Sequence, residues 1–324
     1  MIRFFRSQQP AVLFLIPLIA ILLWLPCWNS LTIYSETGKA PLWDLVFPAL
    51  IKLPGWMVAL LSFGISTFSA IYFNLLLNKF EVIFKNSYLP SLFYVLLLSS
   101  SSFFIAAHPL QLVNLFLLFY INDFFYCYKQ PKPYGRLFNA GFYISICCLF
   151  WLPLIPIAIC SFFIFMILRS FNLKELLLLL TGFLVPFYLF PVWLFPTALM
   201  NELLWIGSYI SHYQLQLIME FTLQSKLLIG LIGFFLIISI IRLRTNYYKN
   251  VIRTRLYQQI IFLLTFFLMI CILLSGQLNW MPLMLMVIPA SFFCSYFFLS
   301  VKKYNWLYET LFLLFIGLLI FNRL

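Results

Sequence analysis

Long apolar runs follow one another along almost the whole chain, and only short segments with charged residues separate them. Charged residues make up 9% of the 324 residues, whereas they make up roughly a quarter of a soluble domain. At about 20 residues per membrane span, helices and short loops use nearly all of the chain. The sequence therefore predicts an all-α, polytopic transmembrane helical bundle in which residues 1–324 form a single integral membrane domain.

Breakers and charges divide the apolar runs into about eleven predicted spans. They cover residues 11–27, 55–77, 89–106, 109–122, 139–152, 154–168, 176–198, 226–241, 258–274, 281–299 and 306–322. As one helix, residues 140–168 would be about 40 Å long at 1.5 Å per residue, well beyond the roughly 30 Å hydrocarbon core. Because this stretch contains Pro153 and Pro156, we divide it into two short helices joined by a turn between Trp151 and Pro156.

The Lys and Arg residues indicate the orientation, because they are retained on the cytoplasmic side during insertion. Of the 20 such residues, only Lys39, Lys52, Lys226 and Arg323 fall on the other side of this arrangement. The cytoplasmic set is Arg3, Arg6, Lys79, Lys85, Lys129, Lys132, Arg136, Arg169, Lys174, Arg242, Arg244, Lys249, Arg253, Arg255, Lys302 and Lys303. We therefore expect a bacterial inner-membrane protein with its N-terminus inside and its C-terminus outside.

The first predicted outer loop, residues 28–52, carries two carboxylates, Glu36 and Asp44, and ends on Lys52. Around Asp44, residues 41–48 mix aromatic side chains with one acid, as in a short helix at the lipid headgroups. A carboxylate held against apolar surface can act as a general base. We predict Glu36 and Asp44 as catalytic residues and Lys52 as a substrate-binding residue. The alternative is that the two acids only solvate the loop.

A second predicted outer segment, residues 201–226, has polar residues that recur every four positions. That spacing is typical of an amphipathic helix on the membrane surface. His212 and Glu220 are about two turns apart and would share one side of it, so we predict them as substrate-binding residues. Solvation of a polar face is again the alternative.

Two further segments bear on function. Pro186, Pro191 and Pro196 lie in or beside one predicted span. Broken helices of that kind form binding sites in transporters, and a plain structural kink is the alternative. The predicted inner loop 242–255 carries five basic residues and adjacent tyrosines. It predicts anchoring to anionic headgroups or retention of topology, and binding of a phosphorylated lipid carrier is the alternative.

Three segments resemble an uncharacterised family of polytopic inner-membrane proteins from Bacteroidota. They are residues 1–7 (MIRFFRS), 78–90 (NKFEVIFKNSYLP) and 138–153 (FNAGF through LFWLP). Some members of that family are described as β-carotene-cleaving oxygenases, which use an iron held by four histidines. This chain has only His108 and His212, and we predict neither a metal nor another cofactor.

The acidic first outer loop and the short helix pair around Pro153 are similar to membrane glycosyltransferases and glycan polymerases that use lipid-linked sugars. This resemblance implies that Glu36 or Asp44 is the base. The expected function is therefore the handling of a lipid-linked sugar or lipid at the outer face. The alternative is a non-enzymatic transporter or a structural or assembly subunit. The expected partners are membrane lipids, a lipid-linked glycan or other membrane subunits, and not nucleic acid, because the basic residues are scattered between apolar runs.

Overall fold

The computed structural model describes residues 5, 11–25, 41–83, 85–105, 107–194, 223–275, 280–300 and 305–322. These residues are almost entirely helical. The helices are α1 (Ala11–Trp24), α2 (Pro41–Ile51), α3 (Gly55–Lys79), α4 (Leu89–Leu98), α5 (Ser102–Ile105), α6 (Pro109–Cys127), α7 (Tyr134–Phe150), α8 (Pro156–Leu168), α9 (Leu173–Leu194), α10 (Leu223–Asn246), α11 (Ile252–Leu274), α12 (Trp280–Leu283), α13 (Val287–Leu299) and α14 (Asn305–Phe321). Short 3-10 segments at Leu152–Leu154, Tyr247–Lys249 and Met284–Met286 join neighbouring helices.

Within the described residues, six helical segments are long and apolar enough to cross a membrane. They are α3, α6, the part of α9 up to Phe190, α10 with the turn after it, α11, and the segment Met281–Leu299 that joins α12 to α13. The other predicted spans coincide with the shorter helices α1, α4 with α5, α7, α8 and α14. The all-α prediction is confirmed, and six of the predicted spans reach the length of a complete crossing.

The predicted break within residues 140–168 is present. The 3-10 segment Leu152–Leu154 separates α7 from α8, and Pro156 occupies the first turn of α8, where its missing N–H costs no helical hydrogen bond. Arg136 at the start of α7 and Arg169 just after α8 both bond to groups in the last turns of α6. The two helices therefore run in opposite directions, as a hairpin.

One end of the bundle, here called the basic end, is where α3, α6, α8 and α10 finish and where α7, α9 and α11 begin. Lys79 at the end of α3 donates to the Tyr126 hydroxyl of α6. The Tyr257 hydroxyl near the start of α11 donates to the Phe125 carbonyl at 2.9 Å. These bonds join helix ends that the alternating charge pattern predicts to lie on one side.

The last two helices continue this alternation. Arg242 of α10 donates from Nη1 to the Ser300 hydroxyl after α13 at 2.7 Å, and from Nη2 to the Tyr308 hydroxyl of α14. Therefore α13 ends at the basic end and α14 begins there. At the other end of α14, the Asn322 side-chain amide donates to the Ser100 carbonyl at 2.8 Å.

Helices α4 and α13 form the centre of the bundle, and every residue of both is buried. Helix α13 packs between α4 and α10. By contrast, only 17% of the most apolar stretch of α10 is buried, so within the described residues this helix packs its inner face on α13 and leaves its outer face exposed. The space between α10 and α11 consequently lies at the edge of the bundle.

Candidate functional site

The structure describes two of the predicted site residues. Asp44 lies in the first turn of α2 and Lys52 follows the same helix, and both side chains are exposed. The neighbouring Trp43 is 3% exposed, so the helix predicted at residues 41–48 is present with its indole buried against the bundle. The three other predicted residues, Glu36, His212 and Glu220, lie outside the described residues, as does most of the predicted surface helix at 201–226.

His108 caps a helix. Its Nδ1 accepts a hydrogen bond from the Leu110 N–H at 3.2 Å, which satisfies one of the free donors at the start of α6. Within the described part of the chain, no three His, Cys, Asp or Glu side chains gather as metal ligands would. Six cysteines are buried and carry free thiols: Cys127, Cys147, Cys148, Cys160, Cys271 and Cys294.

An apolar cavity of about 180 Å³ lies between α10 and α11, away from the basic end. Its lining includes Ile232 and Gly233 of α10, Met269 of α11 and Ala290 of α13. A cavity of about 150 Å³ with aliphatic walls stays dry and binds apolar molecules. The composition of this cavity therefore suits hydrocarbon.

The first wall of the cavity is a break between α4 and α5. Helix α4 ends at Leu98, and the serines that follow leave the helical hydrogen-bonding pattern at the cavity, where Ser100 forms part of the lining. Polar side chains bond to backbone carbonyls at this break. The Asn322 side-chain amide donates to the Ser100 carbonyl, and the Gln111 side-chain amide donates to the Phe104 carbonyl at 3.0 Å. Within a membrane, non-helical backbone is tolerated only where such hydrogen-bond partners are available.

A second irregular segment also lines the cavity. The 3-10 turn Met284–Met286 separates α12 from α13, and Met286 contributes to the lining. The Asn114 side chain of α6 donates to the Met284 carbonyl at 3.1 Å. Two interrupted helices thus meet at one apolar cavity, and discontinuous helices surround ligand sites in several membrane transporters.

The remaining wall is formed by α10 and α11, and the cavity is partly open as far as the described residues show. Met269 at this edge is 48% exposed. Thr265, a polar residue of the lining, donates its hydroxyl proton to the Ile261 carbonyl at 2.7 Å, so it places no free donor in the cavity.

A larger open cavity of about 630 Å³ lies between the same two helices at the basic end. Arg244 and the two tyrosines of the turn after α10 line its polar side. Ile240, Phe262 and Phe293 line its apolar side. The two cavities therefore share the α10–α11 edge, one within the apolar part of the bundle and one beside the basic loop.

No family model, curated protein or solved structure matches this chain. The comparisons therefore leave both resemblances untested.

The sequence analysis did not identify the apolar cavity, although some polar residues around it are visible in the sequence. The serine run at 99–102 and Asn114 stand out as polar groups within apolar spans. In the structure they support two breaks that form its walls. The lining itself is ordinary apolar sequence, and no pattern distinguishes Gly233 or Met269 from other residues of their helices.

Proposed function

We propose that this chain is a multi-pass inner-membrane protein that binds a lipid or lipid-linked sugar, with the hydrocarbon part of the ligand in the apolar cavity. The supporting observation is that, as far as the described residues show, this cavity lies at a partly open edge between two apolar helices. A ligand with a long apolar chain can enter it from the bilayer. A soluble substrate would gain little from a lining in which Ser100 and Thr265 are the polar residues and the other side chains are apolar.

The proposed topology has about eleven spans, with the basic end in the cytoplasm. Basic residues at that end fit retention of Lys and Arg on the cytoplasmic side. Each of the shorter segments, which are α1, α4 with α5, α7, α8 and α14, counts as one span. The apolar cavity then lies toward the outer face, on the side of the bundle that the first outer loop is predicted to occupy. Chemistry at a ligand headgroup would fall to the predicted bases, Glu36 or Asp44.

The test uses a polyisoprenyl phosphate with a photoreactive diazirine in its chain, incorporated into nanodiscs with the full-length protein. Gly233 lines the cavity, and nothing lies within 4 Å of a Cβ added there. Gly233→Leu therefore adds carbons where the ligand chain would lie. If the leucine displaces two CH₂ groups of the ligand from the cavity, at about 0.8 kcal/mol each, labelling of residues 229–236 is expected to fall roughly tenfold.

Gly230→Leu is the matched control, because Gly230 is one turn away on α10, is exposed and does not line the cavity. Its labelling is expected to equal that of the wild type. If the Gly233→Leu protein is labelled as strongly as the wild type, the ligand's hydrocarbon chain does not bind in this cavity.

The uncovered faces of α9 and α10 favour a second candidate, a structural or assembly subunit. Only 22% of the apolar stretch of α9 and 17% of that of α10 are buried. A partner helix would pack on these faces. Crosslinking in native membranes through cysteines at Leu184 and Ile237, two exposed positions, tests for that partner, and recovery of the uncrosslinked chain alone would exclude it.

A further inference from the structure

We propose that the open cavity at the basic end binds an anionic glycerophospholipid of the adjacent leaflet, with its phosphate on Arg244 and the start of an acyl chain on the apolar wall. This site is separate from the apolar cavity and does not depend on the proposed function. The site combines an exposed cation, Arg244, with an aromatic rim and an apolar floor.

Arg242 and Arg244 end the same helix but have different surroundings. Side chains two residues apart on an α-helix point to nearly opposite sides. The Arg242 guanidinium bonds to Ser300 and Tyr308 and lies 5.3 Å from the Phe297 ring centre. Arg244 is exposed and lines the cavity, and among the described residues no carboxylate pairs with it.

Tyr247 forms a fixed rim beside Arg244. The Gln259 side-chain amide donates to its hydroxyl at 2.6 Å, and the Arg255 guanidinium lies 5.5 Å from its ring centre. Tyr248 stands edge-on at 5.4 Å from that ring and is 85% exposed. Tyrosines with one apolar and one polar edge are enriched at the membrane interface, where a headgroup meets its chains.

The floor below this rim is apolar. Ile240 and Leu243 of α10, Phe262 and Leu263 of α11 and Phe293 of α13 line it. Phe262 is 54% exposed, and it lies in a helix long enough to cross a membrane. An acyl chain fits this wall, whereas free phosphate would leave the wall uncovered.

Charge favours an anionic headgroup. Residues 242–255 contain five Lys or Arg residues and no Asp or Glu. Each basic residue close to an anionic leaflet adds to the attraction. That attraction acts on the whole loop, and the cavity adds selectivity because Arg244 lines it together with apolar side chains.

The experiment uses the full-length chain in nanodiscs of phosphatidylcholine. Trace phosphatidylglycerol or trace phosphatidylcholine is added, each with the same diazirine-bearing acyl chain, and crosslinks are mapped by mass spectrometry. Phosphatidylglycerol is expected to label residues 240–248 and 258–263 roughly tenfold more than phosphatidylcholine does, as 1.4 kcal/mol of selectivity gives. Equal labelling by the two lipids would overturn the proposal without any variant.

Arg244→Gln is expected to reduce phosphatidylglycerol labelling to the phosphatidylcholine level. Arg253→Gln removes the same charge from the same loop, but Arg253 lies 5.8 Å from the Tyr257 ring centre and outside the cavity lining. It is expected to lose only the share of labelling that one charge of the loop contributes, much less than Arg244→Gln loses. Equal losses in both variants would show general surface attraction and no site. Displacement by millimolar inorganic phosphate would overturn the choice of a lipid.

Discussion

Gly141 of α7 and Gly182 of α9 bring two helix backbones into direct contact. A Cβ added at Gly141 would lie 2.2 Å from the Leu179 carbonyl oxygen, and one added at Gly182 would lie 2.2 Å from the Phe138 carbonyl oxygen. Helices in membranes associate closely through such small residues, because lipid offers no hydrophobic driving force between them. This reciprocal contact fixes α9 against the hairpin of α7 and α8.

Gly141→Ala and Gly182→Ala are each expected to destabilise the protein, since backbone atoms must move to admit a methyl group. Overpacking of this kind costs about 1–3 kcal/mol. The measurement is the thermal midpoint of the detergent-solubilised protein. Gly64→Ala is the control, because nothing lies within 4 Å of a Cβ there, and it is expected to be neutral or stabilising. A midpoint unchanged by the two test variants would contradict the close contact.

Arg169 is expected to matter more to stability than Arg136. Arg169 Nε lies 2.7 Å from Glu175 Oε2, its Nη2 donates to Oε1 at 3.0 Å, and its Nη1 donates to the Cys127 carbonyl at 3.1 Å. Arg136 makes one 2.7 Å ion pair with Asp123 and its side chain is 44% exposed, against 16% for Arg169. Solvent therefore screens the Arg136 pair.

The corresponding variants are Arg169→Gln and Arg136→Gln. Each leaves a buried carboxylate without its cation, at a cost of about 1–3 kcal/mol or more for a charged group, and the larger loss is expected for Arg169→Gln. Chemical denaturation in mild detergent measures both. A larger loss for Arg136→Gln would show that the number of bonds does not set the order.

Asn114→Leu is expected to loosen the 3-10 turn beside the apolar cavity, because the Met284 carbonyl loses its donor. Side-chain hydrogen bonds inside membrane proteins contribute about 0.6–1.7 kcal/mol. Hydrogen exchange of residues 284–290 is expected to rise. Ser145→Ala is the control, because the buried Ser145 hydroxyl has no partner among the described residues, and unchanged exchange in both variants would contradict the role of Asn114.

Outer-face catalysis predicts that Glu36→Gln or Asp44→Asn abolishes complementation of a deletion in the native host at normal membrane levels. A neutral amide keeps the size of the carboxyl group and removes its basicity. His212→Ala and Lys52→Gln are expected to weaken growth by impairing substrate binding. Full growth of all four variants would exclude catalysis by these residues and favour a transport or assembly role.

Several structural features followed from individual residues of the sequence. Pro153 and Pro156 indicated the break between α7 and α8, since neither can donate a helical hydrogen bond. The positions of Lys79, Arg136 and Arg169 indicated that their helix ends share one side, and hydrogen bonds join those ends in the structure. Spanning length was predicted less well, because apolar runs continue on both sides of the short break at Ser99–Ser101 and residues 89–106 were therefore read as one span.

The sequence by itself determined an all-α apolar fold, the helix positions and the alternation of charge, because hydropathy and chain breakers act locally. Tertiary structure alone decided that the breaks after Leu98 and at Met284 face one cavity, that Arg242 is bonded while Arg244 lines an open cavity, and that Gly141 meets Gly182. These relationships depend on which helix faces which. Almost every span of this chain is apolar on all sides, so the spacing of its apolar residues does not indicate which helices pack together.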